Sequence, residues 1–419
     1  VIHKTLYLCY FGLRQPLVQT QVIPYLQEIA KDGIETHLLT FDAPSKGWTS
    51  DRIGREKQAL AEKGIEWHSL TYHKRLSIIA TAYDVLAGSV FVWKLLRRHK
   101  IDILHARIHV PMLMAVLARK FSGRKPKIIF DMRGFFPEEY VDGGNWKKDG
   151  ALFKTVKRIE KRLLREADGF VVLTEKARDI LFPESRLTGA DSSGRPVEVI
   201  PCCVNIERFR CDDAREKIRS DHQLNDRLVV AYVGSLGTWY MADEMADLFK
   251  AAREKDPSVY ALVLTQSEYG IMSERLRERG FTDRDFVVKE VSHSEIPEYI
   301  NAADIAISFI KPCFSKLSSS PTKIAEYLAG GVPIISNSGV GDVAELLQAE
   351  KVGAVVEGFD KESYHRALDE ITVLRASGRL PETCRAAAKE KFDLEQVGGS
   401  KYRSLYRKLL GKQVKTDSI

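Results

Sequence analysis

The run Lys316-Leu-Ser-Ser-Ser-Pro-Thr-Lys-Ile-Ala-Glu-Tyr-Leu-Ala-Gly-Gly-Val-Pro-Ile-Ile-Ser-Asn-Ser-Gly-Val-Gly-Asp-Val343 contains a helix with both its ends and the strand that follows it. Ser320 is a good N-cap, and Pro321 suits the first helical position, where a missing N–H costs nothing. Gly330-Gly331 stops the helix, and the apolar run from Val332 to Ile335 resumes as a strand. Lys323 is out of place, because a cation in the first turn opposes the positive end of the helix dipole. Free amides, the Thr322 hydroxyl, the serines Ser318, Ser319 and Ser320 and this lysine converge as a helix start does when it receives phosphate oxygens. Glu326 follows Lys323 by three residues and Thr322 by four, so the three share one face, and its carboxylate suits ribose hydroxyls. Taken alone, the pattern also fits a solvated helix.

Outward from this run, short apolar segments alternate with helical ones. In the first half they are Thr5 to Phe11, Thr36 to Phe41, Ile103 to Arg107, Lys127 to Met132, Gly169 to Thr174 and Glu198 to Pro201. In the second they are Leu228 to Gly234, Tyr260 to Gln266, Phe286 to Val291, Ile305 to Ile310, Val332 to Asn337 and Gly353 to Gly358. Two sets of six predict an α/β protein of two doubly wound parallel sheets, with ligands at the strands' carboxyl ends. The turn-rich, aperiodic stretch Thr188 to Pro196 marks the boundary.

Ser320-Pro-Thr-Lys-Ile-Ala-Glu-Tyr-Leu-Ala-Gly-Gly-Val-Pro-Ile-Ile335 resembles the donor-site signature of the family 4 glycosyltransferases of GT-B fold, retaining enzymes that use nucleotide sugars. Val197 to Phe209 is similar to that family's interdomain linker, and Ala302-Ala303-Asp304 to its Ala-Ala-Asp. The resemblance implies two Rossmann-like domains facing a cleft: residues 1–195 for the acceptor, 196–393 for the nucleotide sugar, and 394–419 as a helix crossing back to the first domain. It implies that Glu326, matching the second glutamate of the family's Glu-x7-Glu, binds the ribose; the first glutamate falls at Ser318. Glu290 and Val291 correspond to the strand end that meets the base. Gly234, Ser235 and Leu236 form the turn whose backbone comes close to the donor, Ser235 standing where the family has arginine. The subgroup carrying Ser-Pro-x-Lys-x-x-Glu is the nearest in pattern.

In the first half, Gly12 and Arg14 follow the opening strand, either approaching the ligand or forming a plain turn. Arg107 ends a strand and faces the expected cleft; His105 and His109 read as core histidines held by backbone partners. The stretch Phe130-Asp-Met-Arg-Gly-Phe-Phe-Pro-Glu138 puts charged and aromatic residues where loops line a ligand site. Asp131 is placed to accept or orient the acceptor hydroxyl's proton with Arg133 countering charge, or the two brace the loop as an internal ion pair. Glu138 belongs with the acceptor residues.

Residues 1–195 carry 33 Lys+Arg and 22 Asp+Glu, so the basic character of the chain, +7 overall, lies in this half. No aromatic-basic motif selects nucleic acid as partner. An anionic or lipid-linked glycan and an anionic membrane surface fit the charge. Ile78 to Leu96 is apolar but broken by Asp84 and Lys94, with Lys74-Arg75 and Arg97-Arg98 flanking it; the expectation is a core helix, or one resting on a bilayer rather than spanning it. No signal peptide is read at the start. Six cysteines without metal-ligand spacing suit a reducing, cytoplasmic setting.

The expectation is a retaining hexosyltransferase that moves sugar from a UDP- or GDP-sugar to an acceptor hydroxyl in cell-surface polysaccharide or glycoconjugate assembly, with no metal and no cofactor. Lys323 would stabilise the leaving diphosphate. Alternatives are a catalytically silent nucleotide-sugar-binding partner and a GT-B nucleotide-sugar epimerase. A dinucleotide-dependent oxidoreductase is excluded by the lack of Gly-x-Gly-x-x-Gly after an early strand.

Overall fold

The computed structural model describes residues 2–44, 48–73, 77–266 and 269–411. Lys74 and Arg75, expected to flank the apolar helix, and residues 412–419, expected to fray, lie outside them. The chain forms two compact units, one running to Pro201 and resuming at Glu395, the other Cys202–Leu394.

The first unit holds β1 (Lys4–Cys9), β2 (Glu35–Asp42), β3 (Ile65–Thr71), β4 (Ile103–Arg107), β5 (Lys127–Asp131), β6 (Gly169–Val172) and β7 (Val197–Val199). They form one sheet in the order β3-β2-β1-β4-β5-β6-β7, every pair parallel. The second holds β8 (Val229–Val233), β9 (Tyr260–Leu264), β10 (Phe286–Lys289), β11 (Ile305–Ser308), β12 (Ile334–Asn337) and β13 (Gly353–Val356), ordered β10-β9-β8-β11-β12-β13 and again all parallel. Both are doubly wound Rossmann-like sheets, as expected. Central strands such as β8 and β9 are buried along their whole length, which is why they read as unbroken apolar runs.

Two expectations need correction. β3 was not foreseen, because its residues alternate between buried and exposed at the sheet edge and present no apolar run. The strand expected at Glu198 to Pro201 forms as β7 and pairs with β6, so residues 196–201 stay with the first unit and the division falls after Pro201.

The helix Ser400–Leu409 belongs to the first unit and buries Tyr402, Leu405 and Tyr406 completely. The Tyr406 hydroxyl lies 2.9 Å from both Thr5 Oγ1 and His105 Nδ1, and Arg407 grips Asp32 with two bonds of 2.7 Å. Burying a side chain of that size stabilises by about 1.5–3 kcal/mol, so three of them hold the helix firmly.

The helix Ser77–His99 packs on the helix His109–Ser122, and Gly88 permits the approach: a Cβ there would sit 2.6 Å from Met114 Sδ. Asp84, read in the sequence as an interruption, is turned inward, where the Tyr10 hydroxyl donates to it at 2.6 Å and His73 Nδ1 stands at 2.6 Å. Ile79–His99 is by length and composition apolar enough to cross a membrane, with mean hydropathy 1.4, although 44% of that window is buried in the protein.

Candidate active site

In the second unit the strand order reverses between β8 and β11, and the loops leaving the carboxyl ends of those two strands flank the crevice where such sheets bind ligands. Between them lies the helix Thr322–Ala329. Tyr327 fixes it to the sheet: its hydroxyl accepts the Val233 N–H at 2.7 Å, at the last residue of β8. Gly331, at φ +79°, turns the chain out of the helix, and its missing side chain leaves room for the Arg385 guanidinium.

The helix starts one residue later than expected. Pro321 is the N-cap, with no side-chain cap, and its carbonyl accepts from Ile324 N–H at 3.1 Å. Ser320 does not cap; its hydroxyl accepts the Cys202 N–H at 3.1 Å and so ties down the start of the second unit. Among the described residues no side chain caps the first-turn amides. Ser318, where the family's first glutamate falls, is buried and donates to the Ser315 carbonyl at 2.7 Å. Ser319 and Thr322 are half-buried beside the helix start.

Lys323 turns back under the β8 loop. Its Nζ lies 4.1 Å from the Tyr232 ring centroid and 4.3 Å from that of Tyr240, and donates to the Tyr232 hydroxyl at 3.0 Å. Tyr232 in turn donates to the Ser235 carbonyl at 2.5 Å, which fixes the turn. Gly234 has φ +142°, and a Cβ there would sit 2.7 Å from Lys323 Nζ, so only glycine fits between strand and ammonium. Lys323 is 7% exposed, and among the described residues no carboxylate pairs with it. Burial lowers its pKa from the usual lysine range to about 7, against the opposing pull of Glu326. Glu326 is half-buried, with no hydrogen-bond partner for its carboxylate among the described residues. Its pKa is raised by burial to about 6, with Lys323 and Arg208 acting the other way.

Lys316 was missed as a site residue although it opens the decisive stretch. It is buried, its Nζ stands 3.8 Å from the Trp239 ring centroid, and its carbonyl accepts from Gly341 N–H at 2.8 Å. Arg208, exposed and bonded to His293, gave no local sign of its pull on Glu326. Tyr232 and Tyr240 had read simply as strand and turn residues. Ser235 is exposed, whereas the Leu236 side chain is buried in the core, which leaves only its backbone for a ligand. Glu290 and Val291 follow β10; the Glu290 carboxylate accepts from the Tyr269 hydroxyl at 2.7 Å, and Val291 packs on the core that also takes Ile324.

In the first unit the residues read as serving the acceptor lie in the following surroundings. Asp131, at the end of β5, is 0% exposed. Its carboxylate meets Arg133 Nε at 2.9 Å, the Tyr402 hydroxyl at 3.1 Å, the Tyr7 hydroxyl at 3.3 Å and His105 Nε2 at 3.4 Å. Burial alone would raise its pKa, but Arg133 and His105 hold it far below the carboxylate range. The internal ion pair foreseen as one reading of Asp131 and Arg133 is thus present in the structure. His105 and His109 have side-chain partners where backbone ones were expected, His109 Nε2 standing 2.7 Å from Glu160.

Arg107 is buried, 4.0 Å from Asp131, and Glu138 pairs with Lys157 at 2.8 Å. Gly12 sits over the end of β2, where a Cβ would be 3.0 Å from Asp42 Oδ1, and Arg14 is exposed beside Trp48. Ile108, a β-branched residue at φ +64°, marks a strained turn where β4 leaves the sheet.

A buried ammonium with no carboxylate paired to it among the described residues, a helix start without a side-chain cap and a glycine turn thus lie together at the switch point of the second sheet. Comparison with known proteins bears on the family. Residues 18–208 match the family described as Glycosyltransferase Family 4, and residues 214–391 that described as Glycosyl transferases group 1. No curated protein matches the chain in sequence. Among solved structures, sucrose-phosphate synthase from Thermosynechococcus elongatus is 16% identical with TM-score 0.71, covering 98% of this chain and 99% of that one. HepE of Anabaena, solved with UDP, is 16% identical with TM-score 0.66, covering 96% and 99%. A glycosyltransferase from Rickettsia africae is 14% identical with TM-score 0.67, covering 98% and 100%. At such identities these structures speak for the fold, while the two family matches together span most of the sequence; the chain therefore belongs to the family 4 type of GT-B glycosyltransferases.

Proposed function

We propose that this enzyme transfers a hexose-type sugar from a UDP- or GDP-sugar to an acceptor hydroxyl with retention of configuration, in the assembly of a cell-surface polysaccharide or glycoconjugate. The observation that carries the reading is Lys323: a buried ammonium on tyrosine faces, seated against Gly234, with no carboxylate paired to it among the described residues. Such a charge is stable where a ligand brings the anion, and a fixed cation at a leaving diphosphate is the kind of preorganised electrostatic term that dominates many enzymatic rate enhancements. The donor goes to the second unit. There Lys323 and the first-turn amides meet the diphosphate, Glu326 the ribose, and the backbone at Glu290 and Val291 the base. HepE has been solved with UDP, with UDP and glucose, and with UDP-glucose, which favours a uridine donor.

The acceptor goes to the first unit, through Gly12, Arg14, Arg107 and Glu138. With Asp131 committed to its own network, the acceptor's proton passes to the departing diphosphate oxygen as the C1–O bond to diphosphate breaks and the new glycosidic bond forms. The same residues also suit a silent nucleotide-sugar binder, since Ser318, Ser235 and Phe130 replace familiar groups; turnover separates the two.

We assign the protein to the inner face of an anionic membrane. Ile79, Tyr83, Leu86 and Val90, spaced four, three and four residues apart, form an outward stripe with exposures from 52% to 70%. Lys94, Arg97 and Arg98 are exposed at the same helix's end, and Phe121, Arg124 and Lys125 at the end of its neighbour. An apolar stripe bordered by basic residues is suited to lying in a headgroup layer.

The experiment is a thermal-shift panel of UDP, GDP, ADP and their sugars, followed by product analysis with the donor that stabilises most. Stabilisation by one nucleotide sugar and an acceptor-dependent product of retained anomeric configuration are expected. Failure of every nucleotide sugar to stabilise overturns the reading, and binding without transfer selects the silent partner.

A further inference from the structure

A second cluster of chemically capable side chains lies in the first unit, at the amino end of the sheet, and the donor site makes no use of it. β2 and β3 pair so that His37 lies opposite Glu66. Side chains two apart on a strand share a face, so Glu35 and His37 from β2, and Glu66 and His68 from β3, stand on one face, staggered so that His68 is opposite Leu39. The helix Ser77–His99 ends over that face and sets the His99 ring 4.8 Å from that of His37 and 6.0 Å from that of His68.

The atoms converge. His37 Nδ1 is 3.3 Å from His68 Nε2 and 3.4 Å from Glu66 Oε2; His68 Nε2 is 3.6 Å from Glu66 Oε1; His99 Nδ1 is 3.9 Å from Glu66 Oε2. Ligand atoms around a tetrahedral zinc ion, each about 2.0–2.1 Å from it, stand roughly 3.3 Å from one another. The separations among His37, His68 and Glu66 are close to that size, whereas His99 has to move in from 3.9 Å to share the same cation; Glu35, His37, Glu66 and His99 each offer a ligand atom within 4.8 Å of the others.

The surrounding shell suits the same purpose. His37, whose side chain is fully buried, has Nε2 3.0 Å from Glu35 Oε1, and Lys4 Nζ holds Glu35 at 2.7 Å. A carboxylate on one ring nitrogen fixes the tautomer and turns the lone pair of the other toward the cluster, as around protein-bound zinc. Glu66 is half-exposed, which leaves a path from solvent.

We propose that His37, His68, His99 and Glu66 bind one divalent d-block cation of the zinc type, oriented by Glu35, as a clip that fastens the end of the helix Ser77–His99 to the edge of the sheet. Three imidazoles and one carboxylate favour zinc and its neighbours in the first transition row over magnesium or calcium, which prefer oxygen ligands. The clip departs from the sequence-based expectation of no metal, and it plays no part in the transfer proposed for the second unit.

The test uses the full chain, stripped with a chelator and titrated with zinc chloride by calorimetry and by competition against a chromophoric chelator. Binding of about one equivalent with a dissociation constant below roughly 1 μM is expected, together with a higher melting temperature in the presence of zinc. Glu35→Gln should weaken binding about tenfold, as loss of an orienting carboxylate does, and His99→Gln should weaken it further. His99→Gln lies at a helix end, and UDP-sugar stabilisation measured in parallel reports whether that variant is still folded. Cobalt(II) added to the stripped protein should develop the intense visible bands of a tetrahedral site. Less than about a tenth of an equivalent bound, or zinc binding unchanged in folded His99→Gln and Glu35→Gln, overturns the proposal.

Discussion

Each unit buries charged side chains near the carboxyl edge of its sheet, and the two sets are treated in opposite ways. Asp131 is met by Arg133, Tyr402, Tyr7 and His105, and its carboxylate is held strongly ionised. Lys323 has one hydroxyl and two aromatic faces, and burial takes its pKa down to about 7. The first arrangement is complete within the protein and serves to hold loop, strand and C-terminal helix together. The second is unfinished without an anion. A buried charge therefore reads as structural or functional by whether the protein supplies its counter-charge.

The sharpest way to break this contrast is Asp131→Ala. It leaves Arg133 and Arg107 buried without their anion and should cost about 3–5 kcal/mol of stability, measured by urea denaturation. A variant of near-native stability would mean that the network is not a brace. Next comes Lys323→Met. Turnover with the best donor should fall by about 10²–10³-fold, which is roughly 3–4 kcal/mol of transition-state stabilisation, while the melting temperature of the ligand-free protein holds or rises because an uncompensated charge has been removed. If instead stability collapses and turnover survives, the roles assigned to the two sites are reversed.

Proton linkage sharpens the comparison further. With its pKa near 7 when folded and near 10.5 when unfolded, Lys323 makes the unfolded chain bind more protons between those values, so ligand-free stability should rise with pH across that window. Glu326, raised to about 6 from 4.5, acts in the other sense and should lower stability as pH rises from 4.5 to 6. Asp131, depressed when folded, contributes stability above its ordinary range that is lost in acid. A diphosphate that re-protonates Lys323 should bring about one proton into the complex at pH 8, read by calorimetry in buffers of different ionisation enthalpy. Lys323→Met should abolish that uptake. The smallest effect is expected on the outer stripe: Leu86→Glu should weaken binding to anionic vesicles by about tenfold in a flotation assay, with transfer to a soluble acceptor unchanged.

Much of the architecture was legible in the chain. Strands buried on both faces appear as apolar runs, and each foreseen segment holds a strand: β4 spans its segment, most others are shorter at their ends, β2 is one residue longer at each end, and β7 begins one residue before its segment. β3 escaped because an edge strand with one wet face shows no such run. Lys323 was visible as a residue in the wrong place, since a cation at a helix start has no local reason to be there. The role of Asp131 was not, because the same Asp-x-Arg spelling serves a base and a brace. Nor was the histidine cluster: His37, His68 and His99 follow one another at intervals of 31 residues, with no metal-ligand spacing, and meet only through strand register and the fall of a helix end.

What the sequence determined by itself is the alternation that makes two doubly wound sheets, and a helix start carrying a charge that its own dipole disfavours. Both are written within a few residues, where backbone propensity and periodicity act. The tertiary structure decided which groups stand beside each charge. The hydroxyl for Lys323 comes from 91 positions away and the one for Asp131 from 271, and at those separations only packing determines whether a buried charge finds its partner in the protein or waits for one in a ligand.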